Sequence, residues 1–122
     1  MRNKQLLSRE DFKKQVLKRD NYTCVVCGTI SYDLDAHHLL DRKLWDDGGY
    51  YLDNGVSLCK DICHLDAETS VYTVEELREK AGILNIIVPS QLNPTTVYDK
   101  WGIEIVEDEY DKNWFKKYKN DR

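Results

Sequence analysis

Apolar residues fall first in a helical rhythm along this chain and then in short clusters broken by turns. Between Arg9 and Arg19, Phe12 and Val16 share one face and Leu17 joins it, while Lys13, Lys14 and Lys18 fall largely elsewhere. Ser8 stands at the N-cap position and Glu10 and Asp11 follow in the first turn, so the pattern predicts a helix over Arg9–Arg19. From Asn21 the texture changes. Asp35-Ala36-His37-His38-Leu39-Leu40 reads as a strand or its end, and Asp46-Asp47-Gly48-Gly49 as a turn. Asn54-Gly55 is a second turn signal before the short strand Val56-Ser57-Leu58, and His64 to about Glu68 reads as helical.

A boundary falls near Ser70 to Tyr72. Thr73-Val74-Glu75-Glu76 is a capping box that opens a helix ended by Gly82. Ile83 to Val88 reads as a strand closed by Pro89, Asn93-Pro94 as a turn, and Ile103 and Ile105 about Glu104 as one more half-buried strand. The last stretch, Glu109 to Lys119, sets Tyr110, Trp114 and Tyr118 on one helical stripe beside Lys112, Lys116, Lys117 and Lys119. Docking of that aromatic face on the core is preferred to a nucleic-acid surface. No repeat or low-complexity segment interrupts the chain.

The chain's 122 residues amount to one domain, although a subregion of about fifty residues would need a staple beyond its apolar core. A mean hydropathy of −0.66 points toward disorder, but 3 Trp, 8 Tyr and 2 Phe argue for a packed interior. No stretch approaches the ~18 apolar residues of a spanning helix, and the first twenty or so are too charged for a signal peptide. The expectation is a cytoplasmic protein with no membrane partner, in which the 4 cysteines are metal ligands rather than disulfides.

The net charge of −4 argues against a nucleic-acid partner until its distribution is read. Residues 1–21 carry seven basic and three acidic side chains, and residues 112–122 five and one, so each end is +4. The middle, residues 22–111, is −12. Phosphate contacts are therefore expected from the two ends.

The cysteines fall as Cys24-x2-Cys27 and Cys59-x3-Cys63, separated by 31 residues. Two close pairs describe two knuckles meeting at one tetrahedral ion, and zinc suits four thiolates. Four ligands close its shell, so this zinc is structural and supplies roughly 10 kcal/mol of apparent folding free energy. All three histidines lie near that frame. His64 follows Cys63 directly, and the hairpin between the knuckles carries His37 and His38.

The run Phe12 to Asp20, Cys24-x2-Cys27-Gly28, Asp35-Ala36-His37-His38, Asp53-Asn54-Gly55-Val56-Ser57-Leu58-Cys59 and Cys63-His64-Leu65-Asp66-Ala67-Glu68 together resemble the HNH endonucleases, in particular their zinc-stapled phage and restriction members. The resemblance spans about residues 9–70. One departure is the three-residue second spacer, Lys60-Asp61-Ile62, where the family usually has two. What it implies is an α+β protein: a small zinc-stabilised ββα-metal core with an N-terminal helix within residues 1–70, followed by a C-terminal α/β extension over 71–122. It further implies that His38 is the general base, that His37 and His64 hold a catalytic divalent ion, and that Asn54 fixes the hairpin and orients His38.

The chemistry is compatible. A neutral imidazole accepts a proton from water near pH 7, and a cation acts as Lewis acid on the phosphate. Imidazole ligands favour Mn2+, Co2+ or Ni2+ at least as well as Mg2+. Adjacent residues of a regular strand face opposite ways, so His37 and His38 serve one site only if the strand ends or bends there. Weaker candidates are Arg42 and Lys43 for a phosphate, Glu68 for a metal-bound water, and Trp45, Tyr50 and Tyr51, for which packing is preferred to stacking. The expected partner is nucleic acid, double-stranded DNA engaged through its backbone. The rival expectation is a non-catalytic zinc-binding module that binds DNA or protein.

Overall fold

A computed structural model describes residues 5–60 and 72–105. Helix α1 spans Arg9–Arg19, with Ser8 Oγ accepting the Asp11 N–H at 3.1 Å as its N-cap. Phe12, Val16 and Leu17 are buried and Lys13, Lys14 and Lys18 exposed, as the pattern requires. Beyond the helix, Asn21 and Tyr22 both adopt φ 55, and the Tyr22 N–H bonds back to the Leu17 carbonyl at 2.8 Å. That reversal sends the chain into the cysteine knuckle.

Strand β1, Asp35–His38, pairs antiparallel with β2, Gly55–Leu58, in a two-stranded sheet that sets His38 opposite Gly55 and His37 opposite Val56. The intervening chain contains 3-10 turns at Arg42–Leu44 and Leu52–Asn54. Helix α1 packs against both strands. Its approach explains Gly55: a Cβ there would lie 2.5 Å from Phe12 Cζ and 2.7 Å from Val16 Cγ2. The end of α1 is pinned as well. Arg19 donates to the carbonyls of Leu52 at 2.9 Å and Gly55 at 2.7 Å, and pairs with Asp20, whose carboxylate accepts the Ser57 N–H at 2.8 Å.

Helix α2, Val74–Ala81, begins with the expected reciprocal box between Thr73 and Glu76 and ends at Gly82 in the left-handed conformation, φ 71. Val74 and Leu77 of α2 join Leu17, Leu39, Leu40, Val56 and Leu58 in one hydrophobic core. The fold is thus α+β, with residues on both sides of position 71 contributing to a single interior.

Two expected strands are not strands. Ile83 to Val88 runs without a ladder partner among the described residues; Ile83 is buried while Leu84 is 91% exposed, so the segment is irregular. Around Ile103 and Ile105 the described residues form only the single bridge Tyr98↔Glu104. Asp99 Oδ1 accepts the N–H groups of Trp101 and Ile103 at 2.9 and 3.0 Å, and Gly102 takes φ 79, so a tight turn consumes the residues a longer ladder would need. The expected helices at 64–68 and 109–119 lie outside the described residues.

Candidate metal centre and histidine cleft

The Cys24–Cys27 segment is a tight turn closed by the Gly28 N–H on the Cys24 carbonyl at 3.0 Å, with Gly28 at φ 80. The Cys27 N–H points at Cys24 Sγ, 3.5 Å away, in the manner of a knuckle whose amides stabilise a thiolate. The Val25 N–H bonds to the Ser57 carbonyl at 3.0 Å, so β2 is fixed beside the knuckle and delivers Cys59 one residue beyond its end. The Sγ atoms of Cys24, Cys27 and Cys59 all lie within 4.8 Å of one another. A tetrahedral zinc with bonds of about 2.3 Å would hold its sulfurs about 3.8 Å apart, a small contraction from this arrangement. These three cysteines could therefore hold a metal ion such as zinc; Cys63 lies outside the described residues.

On the other side of the hairpin is an open cleft of about 620 Å³, bounded by the first half of α1, by β1 and the chain that follows it, and by Lys100. Both His37 and His38 line it. Strand β1 ends at His38, and both histidines are paired residues of its ladder, His37 opposite Val56 and His38 opposite Gly55. His37 is only 2% exposed, and both its ring nitrogens are shielded from solvent. His38 is half-buried between the rings of Phe12 and Tyr50, at centroid distances of 4.8 and 4.9 Å.

The His38 Nε2 lies 3.1 Å from the Gly48 carbonyl oxygen. A carbonyl only accepts, so Nε2 carries the proton and Nδ1 is left with the lone pair. Burial holds the His38 pKa below its ordinary 6.5; the charges of Lys100 and Arg42 act the same way, against the Gly48 carbonyl and Asp41. The ring is accordingly neutral at pH 7 and able to accept a proton.

Asn54 is 1% exposed and joins two backbone segments. Its Oδ1 accepts the Leu40 N–H at 3.1 Å, and its Nδ2 donates to the carbonyls of Leu40 at 3.2 Å and Gly49 at 3.1 Å. The chain leaving β1 is thereby tied to the Gly48–Gly49 turn, whose carbonyl holds His38. Asn54 and His38 share no hydrogen bond; the glycine turn connects them.

Arg42 lines the cleft, whereas Lys43 is an exposed residue outside its lining. Tyr50 lines it too, while Trp45 packs on Tyr51 at 5.5 Å and donates its indole N–H to the Leu40 carbonyl. His64 and Glu68 lie outside the described residues, as do Tyr110, Trp114 and Tyr118. Asp41 and Lys100 reach the cleft without having been singled out from the sequence, whereas Arg9 belongs to the basic end from which phosphate contacts were expected. For Lys100 the Asp99 to Gly102 turn was the available signal, and a turn does not report where it lands.

Compared with known proteins, the chain matches no family model, no curated protein and no solved structure. Among the described residues, no helix is long and apolar enough to cross a membrane.

Proposed function

We propose that the chain is a metal-dependent endonuclease of the HNH type, hydrolysing phosphodiester bonds in double-stranded DNA in the cytoplasm. The observation that carries this reading is the linkage from Asn54 through the Gly48–Gly49 turn to His38, in a cleft that His37 also lines. A purely structural zinc module has no use for a neutral histidine oriented by a buried asparagine. In this reading β1, β2 and the helix expected from His64 form the ββα unit, and Cys24, Cys27, Cys59 and Cys63 hold a structural zinc.

His37 and His64 would hold the catalytic divalent ion, Mn2+, Ni2+, Co2+ or Mg2+. When bound, that ion supplies Lewis-acid stabilisation of charge on the phosphate and the leaving oxygen. His38 Nδ1 takes a proton from the attacking water. The water oxygen bonds to phosphorus as the bond to the 3′ oxygen breaks; that oxygen takes a proton from a solvent water, His38 returns its own to solvent, and 5′-phosphate and 3′-hydroxyl ends result. Asn54 acts as a positioning residue through the glycine turn.

Plasmid nicking with each of the four metals tests the reading, comparing the natural chain with His38→Ala. Loss of nicking in the variant, with zinc content and circular dichroism retained, is the expected result. A natural chain that fails to nick under every metal would leave the non-catalytic zinc module as the better reading, which the cysteine geometry supports equally well.

A further inference from the structure

The exposed cations of α1 divide between two faces. Arg9 and Lys13, four residues apart, line the histidine cleft, whereas Lys14 and Lys18, also four apart, do not. Phe12 sets this division. Its ring is buried 4.8 Å from that of His38, and on a helix the residues three before it and one after it lie to the same side. Packing of Phe12 against the end of β1 therefore brings Arg9 and Lys13 to the cleft and turns Lys14 and Lys18 away from it.

The charges lining the cleft do not cancel among themselves. Asp35 lies 3.8 Å from Lys60 Nζ, and Asp41 lies 3.9 Å from Lys100 Nζ. With those two carboxylates engaged, Glu10 is the remaining acidic residue of the lining, against Arg9, Lys13 and Arg42. These three cations are exposed and form no ion pair among the described residues. Residues four apart on a helix are separated by about 6 Å along its axis, so two long side chains can each take a separate anionic group. Arg42 adds a third cation from the chain that follows β1. The arrangement suits a ligand whose charges recur along a backbone better than one small anion.

We propose that Arg9 and Lys13, together with Arg42, grip backbone phosphates of the nucleic-acid strand lying in the cleft, and that Lys14 and Lys18 take no part. The proposal rests on the nucleic-acid reading of the cleft and deepens it, because α1 then contacts the strand through one face only.

The test is binding of a fluorescein-labelled DNA duplex by the zinc-loaded full chain carrying His38→Ala, followed by anisotropy between 50 and 200 mM salt without added divalent cation. With nicking silenced, the measurement stands apart from the nuclease reading, which the plasmid assay decides. The double variant Arg9→Gln with Lys13→Gln is expected to reduce the slope of log K against log salt by about 1.8, and Arg42→Gln by about 0.9, at about 0.9 per phosphate contact. Lys14→Gln with Lys18→Gln removes the same formal charge from the same helix and is expected to keep a slope close to the parent's. All five positions are exposed, so the variants should retain zinc and their circular dichroism. Equal slope losses in the two α1 double variants would reduce the effect to diffuse attraction and overturn the proposal. So would an unchanged slope in the Arg9 and Lys13 variant or in Arg42→Gln, or a parent whose binding is indifferent to salt. If the natural chain nicks plasmid while these slopes stay unchanged, the phosphate grip fails and the nuclease reading survives.

Discussion

In the cysteine knuckle, the described sulfurs come within 4.8 Å because two of them are three residues apart in one turn and the third follows β2 directly. In the histidine cleft, His37 and His38 are neighbours in sequence, yet beyond Asp35, Ala36, Asp41 and Arg42 their environment comes from distant stretches of chain. Phe12 comes from α1, the Gly48 carbonyl from a turn, and Lys100 from a segment more than sixty residues away. The knuckle is a local device that needs one further element. The cleft is an assembled one, so damage to distant backbone should reach it while leaving the knuckle's ligands in place.

The largest expected effect lies in the knuckle. Replacing Cys24 and Cys27 with serine, or stripping zinc with a chelator, should cost most of the stability, on the order of 10 kcal/mol of apparent metal-linked free energy. A melting transition indifferent to zinc would break the comparison by removing the metal from the fold. Next in size is Asn54→Ala, which leaves the buried Leu40 N–H without its side-chain acceptor and should cost on the order of 3 kcal/mol. Nicking should fall further than unfolding alone explains, with zinc stoichiometry intact. Equal losses of activity and folded fraction would reduce Asn54 to a structural residue.

Gly55→Ala should cost about 1–3 kcal/mol by pushing α1 away from the hairpin, read as a lower urea midpoint at unchanged slope. The smallest effect expected is on pH dependence. Burial depresses the His38 pKa, so the unfolded chain binds its proton first as pH falls. Its contribution to stability is whole above pH 6.5 and is lost as pH drops from there through the lower folded value. Zinc-loaded wild type should therefore lose more melting temperature between pH 7 and 5.5 than His38→Gln. Parallel losses would show that the ring is not held neutral.

The two regions also differ in how far they could be read beforehand. Helix α1 and the opening of α2 were legible because Ser8, Thr73 and Glu76 satisfy helix ends from within a few residues. Cysteine spacing was legible for the same reason. The strand expected at Ile83 to Val88 failed because apolarity records a wish for burial, not the presence of an unpaired sheet edge. In the cleft, the histidines could be marked as chemistry. The tautomer of His38 depends on the Gly48 carbonyl and its lowered pKa on burial and then on the charge of Lys100, none of which a local pattern encodes.

The clamp at the end of α1 has a bearing on how the chain acquires its shape during synthesis. Arg19 and Asp20 bond to backbone groups 33, 36 and 37 positions ahead, at Leu52, Gly55 and Ser57. An isolated helix of 11 residues is below the about 12–15 needed for even marginal stability in water. Helix α1 leaves the ribosome well before its partner strand and must wait, gaining lasting order only when β2 has emerged to meet it. Pulse-labelled hydrogen exchange during refolding should then protect the amides of α1 and β2 in the same phase.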